Sequence, residues 1–147
     1  MKGLETLPLK FSVISIVLLI TVTVGFWQVN VFLEFNNQKN FKEDLVELKQ
    51  KIDFITASNY GSIIQTNMKI INDCTFSIDI DNDKIIGNIS GKLYTMDITS
   101  NITKVKLNEN IIETGKVYLQ KGFFKFSIYY GTPHEIKNYT IVLEDHV

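Results

Sequence analysis

The stretch Asp79-Ile80-Asp81-Asn82-Asp83 is where this sequence comes nearest to chemistry. Carboxylates at alternate positions converge on a hard cation in the calcium loops of EF-hands. The rest of that pattern is missing. Lys84 stands at the sixth position, where the turn demands glycine, and Ser90 at the twelfth, where a bidentate glutamate belongs. The solvent face of a strand running into a turn accounts for these aspartates. His134 and His146 lie far apart, with no second histidine at ligand spacing. Cys74 is the single cysteine, so neither an internal disulfide nor a cysteine-rich metal site is open to this chain. No base accompanies it to make a nucleophile. A Gly-rich phosphate loop and a nucleophile elbow are both lacking. The reading is a protein that is not an enzyme and carries no cofactor or metal, with a metal-dependent hydrolase as the remaining catalytic alternative.

Three N-glycosylation sequons follow, at Asn88, Asn101 and Asn138. Chance alone supplies roughly two in a chain this rich in Asn, Ser and Thr. All three lie C-terminal to the long apolar segment described next. The alternation around them points Asn88 and Asn138 away from the apolar neighbours, and Asn101 falls near a turn.

These residues must be positioned by two very different kinds of sequence. Phe11 to Leu33 are 23 residues without a charge. As a helix they span roughly 34 Å, enough to cross a hydrocarbon core of about 30 Å. Trp27, Phe32 and Phe35, beside Gln28 and Asn30, resemble an interfacial belt. Lys2 and Lys10 against Glu5 keep the N-terminus cytoplasmic and place everything after Glu34 outside. A cleaved secretory signal is the rival, but its apolar core should be only about 7–15 residues. Thr23-Val24-Gly25 makes a poor cleavage site inside a run that continues. The expected organisation is a stub or short leader over 1–10, a transmembrane helix over 11–33, an amphipathic helical stalk over 34–59 and an extracytoplasmic domain over 60–147.

In the stalk, Phe41, Leu45, Leu48, Ile52 and Ile55 recur at steps of four and three, with Lys42, Glu43, Asp44, Glu47, Lys49 and Lys51 off the stripe. Asn40-Phe41-Lys42-Glu43 has capping-box spacing, which predicts a restart after a break at Asn36-Asn37. One unbroken helix is the alternative. The stripe is expected to pack on the following domain rather than on another subunit. From Ser62 onward, short alternating runs bounded by turn residues predict strands. They fall over 62–70, 75–81, 84–90, 92–98, 102–107, 115–120, 123–130 and 138–143. Phe76, Ile78 and Ile80 face inward, as do Phe124, Phe126, Ile128 and Tyr130, and Tyr139, Ile141 and Leu143. Asp81–Lys84 and Ser90-Gly91-Lys92 read as hairpin turns. The predicted fold is an N-terminal transmembrane helix and an amphipathic helix followed by a small all-β antiparallel sandwich.

Composition narrows the partners. All 15 basic residues are lysines and the net charge is −1. Without arginine the side chain best suited to bidentate phosphate or guanine recognition is missing, so no nucleic acid is expected. The bilayer is the expected partner.

The very short segment ending in Lys2-Gly3, followed directly by the apolar helix, resembles the class III signal of archaeal type IV pilin-like proteins. In that family a dedicated peptidase cuts after a small residue preceded by a basic one, and the helix stays in the mature protein. The resemblance implies a scissile bond between Gly3 and Leu4. It departs from the bacterial pattern, which has glutamate at the fifth mature position; here Glu5 would be second and Pro8 fifth. The whole plan of helix, stalk and β domain is similar to archaeal pilins and archaellum-stator-like components. It implies a membrane-anchored structural or assembly protein of the archaeal envelope, in a filament or with other envelope proteins. A monomeric anchored binding module, or an accessory subunit of an envelope complex, is the alternative.

Overall fold

The computed structural model describes residues 6–133 and 139–144. The chain forms two compact units, Met1–Asn37 and Gln38–Val147. A single helix, α1 (Thr6–Thr56), contributes to both. Pro8 sits in its first turn, where a missing N–H costs nothing because those donors have no intrahelical acceptor. The break expected at Asn36-Asn37 is not there: the helix continues through 36–40. Asn costs only a few tenths of a kcal/mol per helical position, less than nucleating a second helix.

In the first unit α1 is apolar on every side and exposed. Leu9, Leu19, Phe26, Trp27 and Phe35 are each 66–69% accessible. This is one helix long and apolar enough to cross a membrane.

In the second unit the same helix narrows to a stripe. Phe41, Leu45, Leu48, Ile52 and Ile55 are at most 1% exposed and belong to one apolar cluster with the strands. The off-stripe charges pair along the helix, Lys49 with Asp53 and Lys51 with Glu47. Gly61, at φ +92°, turns the chain back and donates its N–H to the Tyr130 carbonyl at 2.7 Å.

Among the described residues nine strands follow: β1 (Ile63–Ile70), β2 (Cys74–Asp79), β3 (Lys84–Ile89), β4 (Lys92–Asp97), β5 (Asn101–Leu107), β6 (Asn110–Ile112), β7 (Lys116–Leu119), β8 (Gly122–Tyr130) and β9 (Thr140–Glu144). They form a five-stranded sheet in the order β1-β8-β9-β5-β6 and a four-stranded sheet in the order β4-β3-β2-β7. Phe76, Ile78 and Ile85 from one sheet and Phe126, Ile128 and Ile141 from the other join the helical stripe in the core. Phe124 and Tyr139 are partly buried against it.

Two features depart from the expected all-antiparallel arrangement. β6, only three residues, follows the Asn108-Glu109 turn and was too short for any alternation to show. β8 and β9 pair in parallel, Ser127 beside Thr140 and Tyr130 beside Leu143. Because β9 begins beside Ser127, the chain returns only about 10 Å along β8, at about 3.3 Å per residue, before it re-enters the sheet.

The helical stripe is wedged tightly against β3. A Cβ on Gly87 would run into the Leu45 methyl groups. Gly87→Val is therefore expected to cost about 1–3 kcal/mol through overpacking, read as a lower urea midpoint. A midpoint equal to that of the parent would show that Leu45 yields freely. The fragment Gln38–Val147 is expected to be soluble and to unfold in one cooperative transition. A fragment that precipitates, or whose circular dichroism lacks a strand signal, would contradict a second unit that stands alone.

Candidate functional site

The aspartates that prompted a calcium reading are each spent on the protein itself. Asp79, at the end of β2, is 3% exposed, which corrects the expectation of a solvent-facing strand residue. It is covered because β2 lies inside its sheet between β3 and β7. Asn82 donates to both of its oxygens at 3.0 and 3.1 Å, and the Lys116 ammonium lies 3.2 Å away. Desolvation pushes the Asp79 carboxyl up, but the Asn82 hydrogen bonds and Lys116 outweigh it and hold its pKa below the ordinary aspartate value. Register adds a pattern: Asp97, Lys84, Asp79 and Lys116 are successive cross-strand neighbours on β4, β3, β2 and β7. Lys84 and Asp97 approach to 3.4 Å, so charges of opposite sign alternate across the sheet.

The other two aspartates pin loops together. Asp81 accepts the Gly115 N–H at 2.9 Å, and Ile80 donates to the Gly115 carbonyl. Asp83, at φ +51°, accepts the Ile102 N–H at 2.6 Å. This bond ties the β2–β3 turn to β5 of the other sheet. The carboxylates thus diverge onto separate donors, two side chains for Asp79 and one backbone N–H each for Asp81 and Asp83. Among the described residues no group of three or more His, Cys, Asp and Glu side chains could hold a metal. Cys74 is buried, and burial first, then Asp73, raises its thiol pKa, which keeps it in the unreactive thiol form.

Of the sequon residues, Asn88 lies in mid-β3 between Thr75 and Leu93 and is half-buried, its Oδ1 enclosed without a hydrogen-bond partner. Asn101 opens β5 opposite Glu144 and is also half-buried. Asn138, His134 and His146 lie outside the described residues, as do Gly3 and Leu4.

What remains as a site is the apolar surface of α1 itself. Three of its hydroxyls are internally satisfied. Ser12 donates to the Pro8 carbonyl at 2.9 Å, and Thr21 and Thr23 donate to Val17 and Leu19 at 2.8 Å. A hydroxyl bonded one turn back carries little penalty into hydrocarbon, where an unpaired one is costly. Comparison with protein-family models, characterised proteins and solved structures finds no match to this chain.

Sequence reasoning missed the polar cover of β1. Asp44 accepts the Lys69 N–H at 3.1 Å, and Lys51 donates to the Gln65 carbonyl at 3.1 Å. Burial raises the Asp44 pKa, with Glu47 and Glu43 adding to the rise and the Lys69 amide opposing it. Only the off-stripe position of both residues was visible in the sequence.

The depressed Asp79 pKa makes an acid prediction. A carboxyl whose folded pKa lies below its unfolded value stabilises fully above about pH 3.9 and loses that contribution as pH falls through the folded value. Asp79→Asn should therefore be less stable than the parent at neutral pH, with the difference closing in acid. Urea titrations of both proteins from pH 7 downward measure this. A difference independent of pH would mean that the ion pair with Lys116 is not its source.

Proposed function

We propose that this chain is a membrane-anchored, extracytoplasmic structural or assembly protein of the cell envelope, built on a pilin-like plan. One observation carries the reading. A single helix exposes apolar side chains all round from Leu9 to Phe35, then buries them as a stripe from Phe41 to Ile55. An exposed apolar surface that extensive marks a membrane or assembly contact. The sequence from Gln38 to Thr56 is read as an amphipathic helix closing one side of a small sandwich formed by the two sheets. Lys2 and Lys10 orient the N-terminus to the cytoplasm and the β domain to the exterior. Asn88, Asn101 and Asn138 then lie on the side where N-glycans are added. The lipid bilayer is the first partner, and copies of the chain or other envelope proteins are the second. As in the archaeal pilin-like proteins that the first residues resemble, a leader would end at Gly3 and the mature chain begin at Leu4.

A monomeric anchored binding module is the second reading. It is favoured by the fate of the helical stripe, whose five large residues are used inside the domain rather than kept for a neighbouring subunit.

Leu18→Lys places a charge in the middle of the apolar run, at a cost of about 2.5–3.5 kcal/mol for insertion. The variant should partly leave the membrane fraction on alkaline carbonate washing, whereas the parent stays. An unaffected Leu18→Lys protein would deny that this segment spans. Orientation is read by labelling Tyr118→Cys in intact cells with a membrane-impermeant maleimide. Labelling without permeabilisation is expected, and labelling only after lysis would place the domain inside. Intact mass then separates the two functional readings, since a chain beginning at Leu4 fits assembly and an intact Met1 fits the binding module.

A further inference from the structure

The second unit opens at Gln38, whose Nε2 donates to the Ser90 Oγ at 2.9 Å. Ser90 lies in the β3–β4 turn and donates its N–H to the Asp73 carbonyl at 2.8 Å, which ties the β1–β2 turn to the same end. Gly122 stands opposite Ile70, so the β7–β8 turn is there as well. One end of the domain thus gathers the turns at 71–73, 90–91 and 120–121 around the point where the chain enters. From Leu33, the last residue of the uncharged run, to Gln38 the chain advances only about 7.5 Å as helix. The headgroup layer on one side of a bilayer is about 5–7 Å thick, and tilting the helix only lowers Gln38. With α1 as the anchor, the reading on which this inference rests, Gln38 stays beside the lipid surface.

Charge is distributed unevenly between the two ends of the strands. Away from the entry end, lysines sit on carboxylates: Lys84 on Asp97, Lys116 on Asp79 and Lys104 on Glu113, at 3.4, 3.2 and 2.9 Å. At the entry end Lys69, Lys92 and Lys121 are exposed, and among the described residues none has a carboxylate within ion-pair distance. Lys39 and Glu43 cancel at 3.7 Å, and Asp44 is taken up by the Lys69 N–H. Asp73 is the exposed acid of these turns. Leu93 and Phe123, the second residues of β4 and β8, are 66% and 69% exposed. They face outward, since their neighbours Tyr94 and Phe124 pack against the core. Unpaired ammonium groups flanked by exposed apolar side chains suit a surface that is anionic outside and apolar beneath.

We propose that the entry end of the β domain docks on the surface of the bilayer that holds the anchor, with Lys69, Lys92 and Lys121 on the phosphates of anionic lipids and Leu93 and Phe123 at headgroup depth. A lysine carries its ammonium on a flexible apolar stem, so it can reach phosphate oxygens while the stem lies along apolar surface. The tether holds the domain at high effective concentration beside the lipid, so a few contacts suffice. The sense of docking is fixed by the opposite end. Asp79 and Asp97 end β2 and β4 there, with Asp81 and Asp83 in the adjoining turn, and an anionic surface repels that cluster. Every copy in one bilayer docks in this sense, because each uses the end at which its own anchor enters.

The test uses the full-length chain in vesicles of phosphatidylcholine with or without phosphatidylglycerol. A nitrobenzoxadiazole label is placed at Gln120→Cys, in the β7–β8 turn, or at Ile63→Cys, at the other end of β1, and a lipid with a spin-labelled headgroup is the quencher. Cys74 is buried and does not compete for label. With phosphatidylglycerol present, the label at Gln120→Cys should be quenched and the label at Ile63→Cys should not. Lys69→Gln, Lys92→Gln and Lys121→Gln together should abolish the quenching gained on adding phosphatidylglycerol, with the parent's circular dichroism retained because all three side chains are exposed. Salt at about 1 M, which shortens electrostatic reach to about 3 Å, should do the same. Quenching that ignores phosphatidylglycerol, or survives the three substitutions, is proximity through the tether alone and overturns the proposal. Equal quenching at Ile63→Cys overturns it too. A label at Gln120→Cys that is blue-shifted but unquenched means that a neighbouring chain covers this end, and likewise overturns it. Chains that fail to float with the vesicles overturn the anchor reading itself, whereas chains that float unquenched overturn only the docking.

Discussion

Burial of Phe41, Leu45, Leu48, Ile52 and Ile55 in the β core is the constraint on which the second unit depends. A β domain this small has little interior of its own, and each of these side chains contributes about 1.5–3 kcal/mol when fully buried. The helix is thus a component of the core, and several local choices follow from its presence. Position 87 is glycine because Leu45 fills the space a side chain would need. The polar flank of the helix is set by the strand beside it, with Asp44 and Lys51 serving backbone groups that β1 would otherwise offer to solvent. Lys42 adds a contact with the Tyr94 ring at 5.2 Å, on the other sheet. One face of the helix is fixed by hydrophobic packing and its margins by the edges of both sheets.

The aspartates show how the same domain handles charge. A buried carboxylate is tolerated only with partners, because desolvation exceeds anything a single distant charge returns. Asp79 has Asn82 and Lys116, while Asp81 and Asp83 each accept a backbone N–H. These bonds join the β2–β3 turn to the loop before β7 and to the start of β5, where short strands alone would leave the ends of the sheets loose. The sequence resemblance to a calcium loop and the structural use share one cause. Closely spaced aspartates gather donors, and here the donors are amides and an ammonium.

Much of this was legible because period-two and heptad patterns report burial directly. Eight of the nine strands among the described residues fell where alternation placed them, and the helical stripe was visible residue by residue. What escaped has physical reasons. Alternation is the same for parallel and antiparallel neighbours, so the β8–β9 pairing left no trace in the sequence. A three-residue strand such as β6 is shorter than the pattern that would reveal it. Asp79 followed the outward phase correctly, yet in a central strand the outward face can still be covered by long neighbours such as Lys84 and Lys116. The polar run at 36–40 looked like a break because propensity was weighed alone. The apolar segment before it and the buried stripe after it both favour one helical frame. The candidate site was legible only as a surface: an apolar span stands out in composition, whereas its partners leave no motif.

The division of labour along α1 also limits how copies of the chain could associate. Any contact between copies must use surface that the fold has not already consumed. The residues from Phe41 to Ile55 are excluded, since exposing them would empty the core of the second unit. Two surfaces remain in play. One is the apolar helix before Glu34, which in a bilayer has no hydrophobic reason to leave lipid for another helix and associates only through close packing or polar contacts. Its Ser12, Thr21 and Thr23 hydroxyls are already bonded to their own helix, and that removes part of the polar glue. The other is the β4 edge, which among the described residues pairs only with β3.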